Sequence, residues 1–347
     1  MSLNKNLEKL SNASGVTGRE EEVRNLMIKL MKPHADEIVV DKLENVIAIK
    51  RGKKSSPKVM LAAHMDEVGL MVKTISKEGF LRFTKMGGID DRILLAQKVI
   101  VHTQKGPLQG IIGAKPPHIQ KQEERKKVVA YDELFIDIGA KSRENVNTMG
   151  VKIGDPASFD VKYAQLGKDV VIGKAFDDRV GCAVMVETLK QLEKTDCTIC
   201  AVGTVQEEVG LRGAATAAFG VDPDVGIALD VTVAGDVPGV RDIDTSVQMD
   251  KGPTLTVADS GLITHPKVLR LLIGAAEENK IAYQLETGLP GSTDAARISL
   301  TRQGVPSGTV SVATRYIHSP VGMLSLKDAK NSAKLTAAAI KKIQKQF

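Results

Sequence analysis

Cysteine is scarce: the 347-residue chain has three, an odd number. That count excludes a disulfide-stapled scaffold and suits a reducing compartment, so a cytoplasmic location is expected. Cys197 and Cys200 have the spacing of a metal or redox pair, but they fall in an apolar run, Cys197-Thr-Ile-Cys-Ala-Val-Gly-Thr-Val, that reads as a strand. Residues three apart on a strand face opposite sides, so these thiols are expected to be buried and separate. No stretch of ~18 uninterrupted apolar residues occurs, so no membrane-spanning helix is expected. The stretch from Met1 to Leu10, rich in Lys and Asn, lacks the apolar core of a secretory signal. Charge of one sign is in no large excess, since 48 basic against 42 acidic residues leave +6. The densest basic stretch, Lys121 to Lys127, is interrupted by Glu123 and Glu124 and carries no interleaved aromatics, so no nucleic-acid partner is expected. Internal repeats and low-complexity segments are also missing.

What is present is an ordinary globular composition, 42% apolar and 26% charged, on a chain long enough for two domains. Thr17-Gly-Arg-Glu20 reads as a capping box for a helix through Val23, Leu26, Met27, Leu30 and Met31, ended by Pro33. Asn45–Ile49 and Lys58–Ala63 read as strands, the second so continuously apolar that a sheet buried on both faces is implied. From Gly69 to Leu166 the texture changes to short alternating strands with Gly-containing turns, including Gly87-Gly88. After Gly173 strands and helices alternate again, ending in a helix from Ser325 to Gln346. The expected architecture is an α/β part, residues 1–68 and 167–347, with helices on both faces of its sheet and a small β-rich insertion at 69–166.

The acidic and imidazole residues stand at the ends of these apolar strands. His64 and Asp66 follow one; Glu207 and Glu208 follow another; Asp230 follows Val225–Leu229; His318 follows Gly308–Val312 after a short loop. Asp177 lies between Val170–Gly173 and a helix near Arg179. Ligands of open α/β sheets bind outside the carboxyl ends of the strands, so these segments are expected to meet in one crevice. Two imidazoles and several carboxylates without thiolate suit Zn²⁺, Co²⁺ or Mn²⁺, and in greater number than one ion needs. The expected arrangement has Asp177 bridging two cations, His64 and Asp230 on one, Glu208 and His318 on the other. Asp66 would orient the His64 ring. Glu207 would be the general base for a water shared by the metals, attacking a carbonyl. Singly, each has a plainer reading: a structural histidine, a helix cap at Asp177-Asp178, an exposed turn at Glu207-Glu208. Their coincidence at successive strand ends favours the metal site. His34, His102, His118 and His265 lack such company and are expected to be structural.

The segments His64-Met-Asp-Glu-Val-Gly69, Ala175-Phe-Asp-Asp-Arg-Val-Gly181, Gln206-Glu-Glu-Val-Gly210, Ala228-Leu-Asp230 and Arg315-Tyr-Ile-His-Ser-Pro320, in that order, resemble the M42 family of metallo-aminopeptidases. Ser14-Gly-Val-Thr-Gly18 and Gly291-Ser-Thr-Asp-Ala295 extend the likeness over nearly the whole chain. The resemblance implies hydrolysis of amino-terminal residues from peptides, with His64, Asp177, Glu208, Asp230 and His318 as ligands of two Zn²⁺ or Co²⁺ ions and Glu207 as base. It also implies that the insertion is a dimerisation domain and that dimers assemble into a dodecamer. Arg315, Thr293 and Asp294, within the matched segments, are expected to contact substrate. Two other activities use related features: a dinuclear carboxypeptidase or N-acyl amino acid deacylase, with Arg315 clamping a carboxylate, and an endoglucanase using Glu207 and Glu208. The second would leave His64 and His318 without a role.

Overall fold

The computed structural model describes residues 2–54, 56–192 and 194–346. The chain opens with α1 (Leu3–Asn12), α2 (Glu21–Met31), β1 (Glu37–Val40), β2 (Val46–Lys50) and β3 (Lys58–His64). Next come β4 (Gly69–Ile75), β5 (Leu81–Met86), β6 (Lys98–Thr103), β7 (Gly106–Gly113), the short α3 (Gln122–Arg125), β8 (Phe135–Asp137), α4 (Arg143–Met149) and β9 (Pro156–Phe159). Then follow β10 (Ala164–Leu166), β11 (Val170–Gly173), α5 (Phe176–Gln191), β12 (Thr198–Thr204), α6 (Arg212–Val221), β13 (Val225–Val233) and β14 (Thr254–Asp259). The chain continues through α7 (Pro266–Glu278), β15 (Gln284–Leu289), α8 (Asp294–Ser299), β16 (Ser307–Arg315), β17 (Gly322–Ser325) and α9 (Leu326–Gln346).

Strands β4 to β9 close into a barrel around their own core, which includes Leu70, Phe83, Val99, Ile112 and Ile136. The remaining strands form one sheet in the order β1-β2-β12-β3-β13-β16-β17-β11-β10, with β14 and β15 joined to it beside β16. Its centre, β12-β3-β13-β16, is parallel. Strand β3 shows why a continuous apolar run belongs there. Val59, Leu61 and Ala63 enter the core shared with residues of α1, α2, α5, α7 and α9, while Met60 and Ala62 enter the core shared with α6 and α8. Both faces are dry, so alternation would leave polar groups buried. Cys197 and Cys200 also fall in these two separate cores and are unpaired.

Several elements differ from the sequence expectation. Helix α1 escapes a reading that weighs its Lys and Asn, but Leu3, Leu7 and Leu10 form one buried stripe. The capping box does not form. Thr17 donates instead to Asp66 Oδ2 at 2.9 Å, and Glu20 accepts from the backbone of Gly18 and Gln206. Strand β10 pairs with β11 on the large sheet, so the barrel ends at Phe159 and not at 166; its exposed residues gave no apolar pattern to read. Strand β13 continues through Asp230 to Val233.

A buried charge cluster fastens the amino-terminal segment to the sheet. Glu67 accepts from Lys174 Nζ at 2.7 and 2.8 Å, from Arg179 Nη2 at 3.2 Å and from the Gly15 amide at 2.9 Å. Arg179, fully buried, donates to the carbonyls of Met65, Leu10 and Ala13. Burial lowers Lys174 to about 8 despite the neighbouring Glu67. Removing the one anion would leave two buried cations unpaired. Glu67→Gln should therefore destabilise by about 3–5 kcal/mol, seen as a fall in the urea midpoint; an unchanged midpoint would refute the coupling.

Candidate metal centre

Each acidic or imidazole group is set by the way its strand ends. His64 closes β3, Glu207 and Glu208 follow β12, Asp230 lies on β13, and His318 follows β16. Because these four strands are parallel, their carboxyl ends form one rim. Asp177 reaches the same rim from the start of α5, where it and Asp178 have non-helical dihedrals. The loops that deliver these groups contain non-glycine residues at positive φ: Ala175 (54°), Gln206 (54°), Tyr316 (62°) and His318 (56°). Such conformations are unfavourable and persist where surrounding contacts impose them.

Two groups of donor atoms result, His64 with Asp177 and Asp230, and Asp177 with Glu208 and His318, the atoms within each lying within 4.8 Å of one another. Asp177 belongs to both. Its Oδ1 is 2.9 Å from His64 Nε2, and its Oδ2 is 3.3 Å from His318 Nε2. The opposite ring nitrogens are already engaged: His64 Nδ1 is 3.2 Å from the Asp66 carbonyl, and His318 Nδ1 is 2.8 Å from the Gly88 carbonyl. Those contacts leave both Nε2 atoms facing the cluster. Asp66 does more than orient a ring. Its carboxylate also accepts the amides of Glu207 at 3.0 Å and Glu208 at 3.2 Å, fixing the turn that carries them. Asp178 accepts from the amides of His64 and Gly181, so the helix-cap reading suits it and not Asp177.

The electrostatics are those of a crowded acidic site. Burial, reinforced by Asp177, pushes Asp230 up to about 8 against the pull of His64. Burial and Asp177 likewise carry Glu208 to about 8, and burial with Asp230 and Asp294 holds Glu207 well above the usual carboxylate range. His318 is raised as well, but by its neighbours and not by burial. Burial would lower it, but the hydrogen bond to Asp177 and the Glu208 charge raise it to about 9. Protons thus hold places where cations would relieve the same repulsion. Glu208 Oε1 is buried without a hydrogen-bond partner, an orphaned acceptor oxygen of the kind a bound cation satisfies. The donor set is imidazole and carboxylate without thiolate, so the residues fit Zn²⁺ or Co²⁺.

The cluster floors a crevice of about 510 Å³ whose walls include Thr232, Thr256, Asp259, Glu286 and Thr293. Of the residues expected to contact substrate, Thr293 lines it, with its hydroxyl 3.0 Å from that of Thr309. Asp294 does not. It is buried behind the wall and accepts from Thr204 at 2.5 Å. Arg315 does not line it either: its guanidinium forks onto Asp236 at 3.1 and 2.6 Å. Sequence reading missed Thr17, Gly87, Gly88 and Glu286. Gly87 and Gly88 belong to the barrel, and a Cβ on either would lie 3.1 Å from Glu208 Oε2 or His318 Nδ1, respectively. That close approach explains the paired glycines, whose spacing signalled only a turn.

Residues 44–335 match the model of the M42 glutamyl aminopeptidase family. The chain belongs to that family. It is a metal-dependent aminopeptidase, a peptide hydrolase. Among solved structures it is similar to the TET aminopeptidase of Thaumarchaeota archaeon SCGC AB-539-E09, at 42% identity and TM-score 0.96, covering 99% of this chain and 98% of that one. It is similar to the Pyrococcus horikoshii TET1 peptidase, described as assembling into a tetrahedron or a large octahedral shell, at 35% identity and TM-score 0.88, covering 97% and 98%. A lysyl aminopeptidase of Pyrococcus furiosus is 37% identical over 97% of this chain and 96% of its own. The Thermotoga maritima protein named an endoglucanase is less similar, at 32% identity and TM-score 0.81 over 98% of both chains.

The proton balance gives a pH dependence with a definite sign. Asp230 and Glu208 rise in the fold from ordinary values of 3.8 and 4.5 to about 8, and His318 from 6.5 to about 9. The stability these raised values confer on the metal-free protein is present below the ordinary values and lost as pH climbs through the folded ones. Chelated protein should therefore show a falling unfolding temperature between pH 6.5 and 9, while protein saturated with Zn²⁺ should hold its own. Metal ligation requires the deprotonated groups, so the gap between the two should widen with pH. A constant or narrowing gap in scanning fluorimetry would contradict the assignment.

Proposed function

We propose that the crevice holds two divalent cations, Zn²⁺ or Co²⁺, one on His64 and Asp230, the other on Glu208 and His318, with Asp177 shared. The supporting observation is Asp177 itself, whose two oxygens face different imidazoles. When bound, such a pair supplies Lewis acidity and an acidified water for attack on the peptide carbonyl. The protein's own groups do the rest. Glu207 Oε2, 3.9 Å from His64 Nε2 and largely buried, takes the proton from the attacking water and returns it to the leaving amine. Asp66 acts through others: by gripping the amides of Glu207 and Glu208 and facing His64, it keeps base and ligands in register. Among the described residues the crevice wall holds no Lys or Arg, so a free ammonium terminus is favoured there over a carboxylate. With Arg315 committed to Asp236, the clamp that a carboxypeptidase or deacylase would use is already occupied.

In this reading residues 2–68 and the part after the barrel form the catalytic unit, and the barrel mediates dimer contacts. Exposed Ile111, Ile119, Val128 and Ile153, all from the barrel segment, supply apolar surface for them. A dodecamer built from such dimers is consistent with the tetrahedral assembly of the TET1 relative. No helix among the described residues is long and apolar enough to cross a membrane. The unpaired buried thiols Cys182, Cys197 and Cys200 favour the cytoplasm.

Glu207→Gln should lower kcat on an aminoacyl-anilide by about 10²–10⁴-fold while elemental analysis still finds the wild-type metal content. Glu208→Ala should instead lower metal content. Near wild-type turnover by Glu207→Gln would remove Glu207 as the base.

A further inference from the structure

The crevice extends past the metal-facing residues to a second, smaller group of carboxylates. Asp230 and Thr232 stand two apart on β13, hence on one face and about 7 Å apart along the strand. The Thr232 hydroxyl donates to Glu286 Oε1 at 2.5 Å, and Thr256 on β14 is the register partner of Glu286 on β15, beside the same carboxylate. Glu286 is 8% exposed and lines the crevice. The charge that faces it is Asp259, of the same sign, and no cationic side chain among the described residues is paired with it. Asp259 is itself held in place, its Oδ1 accepting the amides of Gly261 and Leu262 and the hydroxyl of Ser292.

A buried carboxylate beside a like charge is costly unless a cation joins it. Among the described residues the crevice wall has no Lys or Arg, so a cationic partner would enter through the open crevice. The Thr232 hydroxyl holds the carboxylate one strand step, about 7 Å, beyond Asp230, a step comparable to the length of an extended Lys or Arg stem. We propose that Glu286, assisted by Asp259, selects substrates whose amino-terminal residue is Lys or Arg. The proposal rests on the aminopeptidase reading of the same crevice. An acidic side chain would meet two like charges. A large apolar one would cover the carboxylate without pairing it.

The test is kcat/KM of the metal-loaded enzyme on lysyl-, arginyl-, leucyl- and glutamyl-p-nitroanilide, for wild type and Glu286→Gln. The wild type should prefer lysyl or arginyl over glutamyl by at least about 100-fold, and Glu286→Gln should lower the lysyl-to-leucyl ratio by about 10- to 100-fold. A wild type that favours leucyl or glutamyl substrate would overturn the specificity and leave the aminopeptidase intact. So would a ratio unchanged in Glu286→Gln. Failure to cleave any of the four would instead overturn the reading beneath it. Calorimetry on metal-loaded Glu207→Gln supplies a readout without turnover: L-lysinamide should bind at least about tenfold more tightly than L-norleucinamide, and parity would contradict the proposal.

Discussion

Like charges cannot be buried together without a compensating charge. Asp177, Glu207, Glu208 and Asp230 crowd one rim of the sheet, with Asp66, Asp178 and Asp294 fully or almost fully buried around them. Burial, reinforced by this repulsion, pushes Glu207, Glu208 and Asp230 upward, and the neighbouring carboxylates raise both histidines against their burial, so protons relieve part of the strain. Divalent cations would relieve it better, because they could satisfy several oxygens at once, including the orphaned Glu208 Oε1. The same constraint governs Glu286 and Asp259 further along the crevice, where the natural countercharge is the substrate's own.

The fold holds this unfavourable assembly by over-determining it. Parallel strands bring their carboxyl ends to one rim. Asp66 ties the β12 turn to the end of β3, and Asp178 binds the His64 amide from α5. Glu67, Lys174 and Arg179 pin the amino-terminal segment against the same strand end. The barrel is not a bystander, since the Gly88 carbonyl sets the ring of His318. A single chain segment therefore cannot relax without disturbing the others.

Much of this was legible from the residues alone. Continuous apolar runs such as Lys58–Ala63 announce a sheet covered on both faces, and acidic or imidazole residues at the ends of such runs announce a shared crevice. Their order along the chain also carries the family likeness, which the match over residues 44–335 bears out. What could not be read were interactions between segments with no common pattern. Thr17 looks like a helix cap until Asp66 is placed beside it. Arg315 looks like a substrate clamp until Asp236, 79 positions away, takes its guanidinium. Asp294 has the right neighbours in sequence but faces Thr204 within the protein. Glu286, on a strand with no acidic motif, gains meaning only when Thr232 and Thr256 approach it. Strand-end chemistry is local and visible; the pairing of distant side chains depends on tertiary contact.

The most direct measurement is a crystal structure of the protein loaded with Zn²⁺ or Co²⁺, with data collected at the metal's absorption edge. The account predicts two anomalous peaks per subunit, ~3.5–4 Å apart, on either side of the Asp177 carboxylate. A single peak, or peaks remote from Asp177, would contradict it.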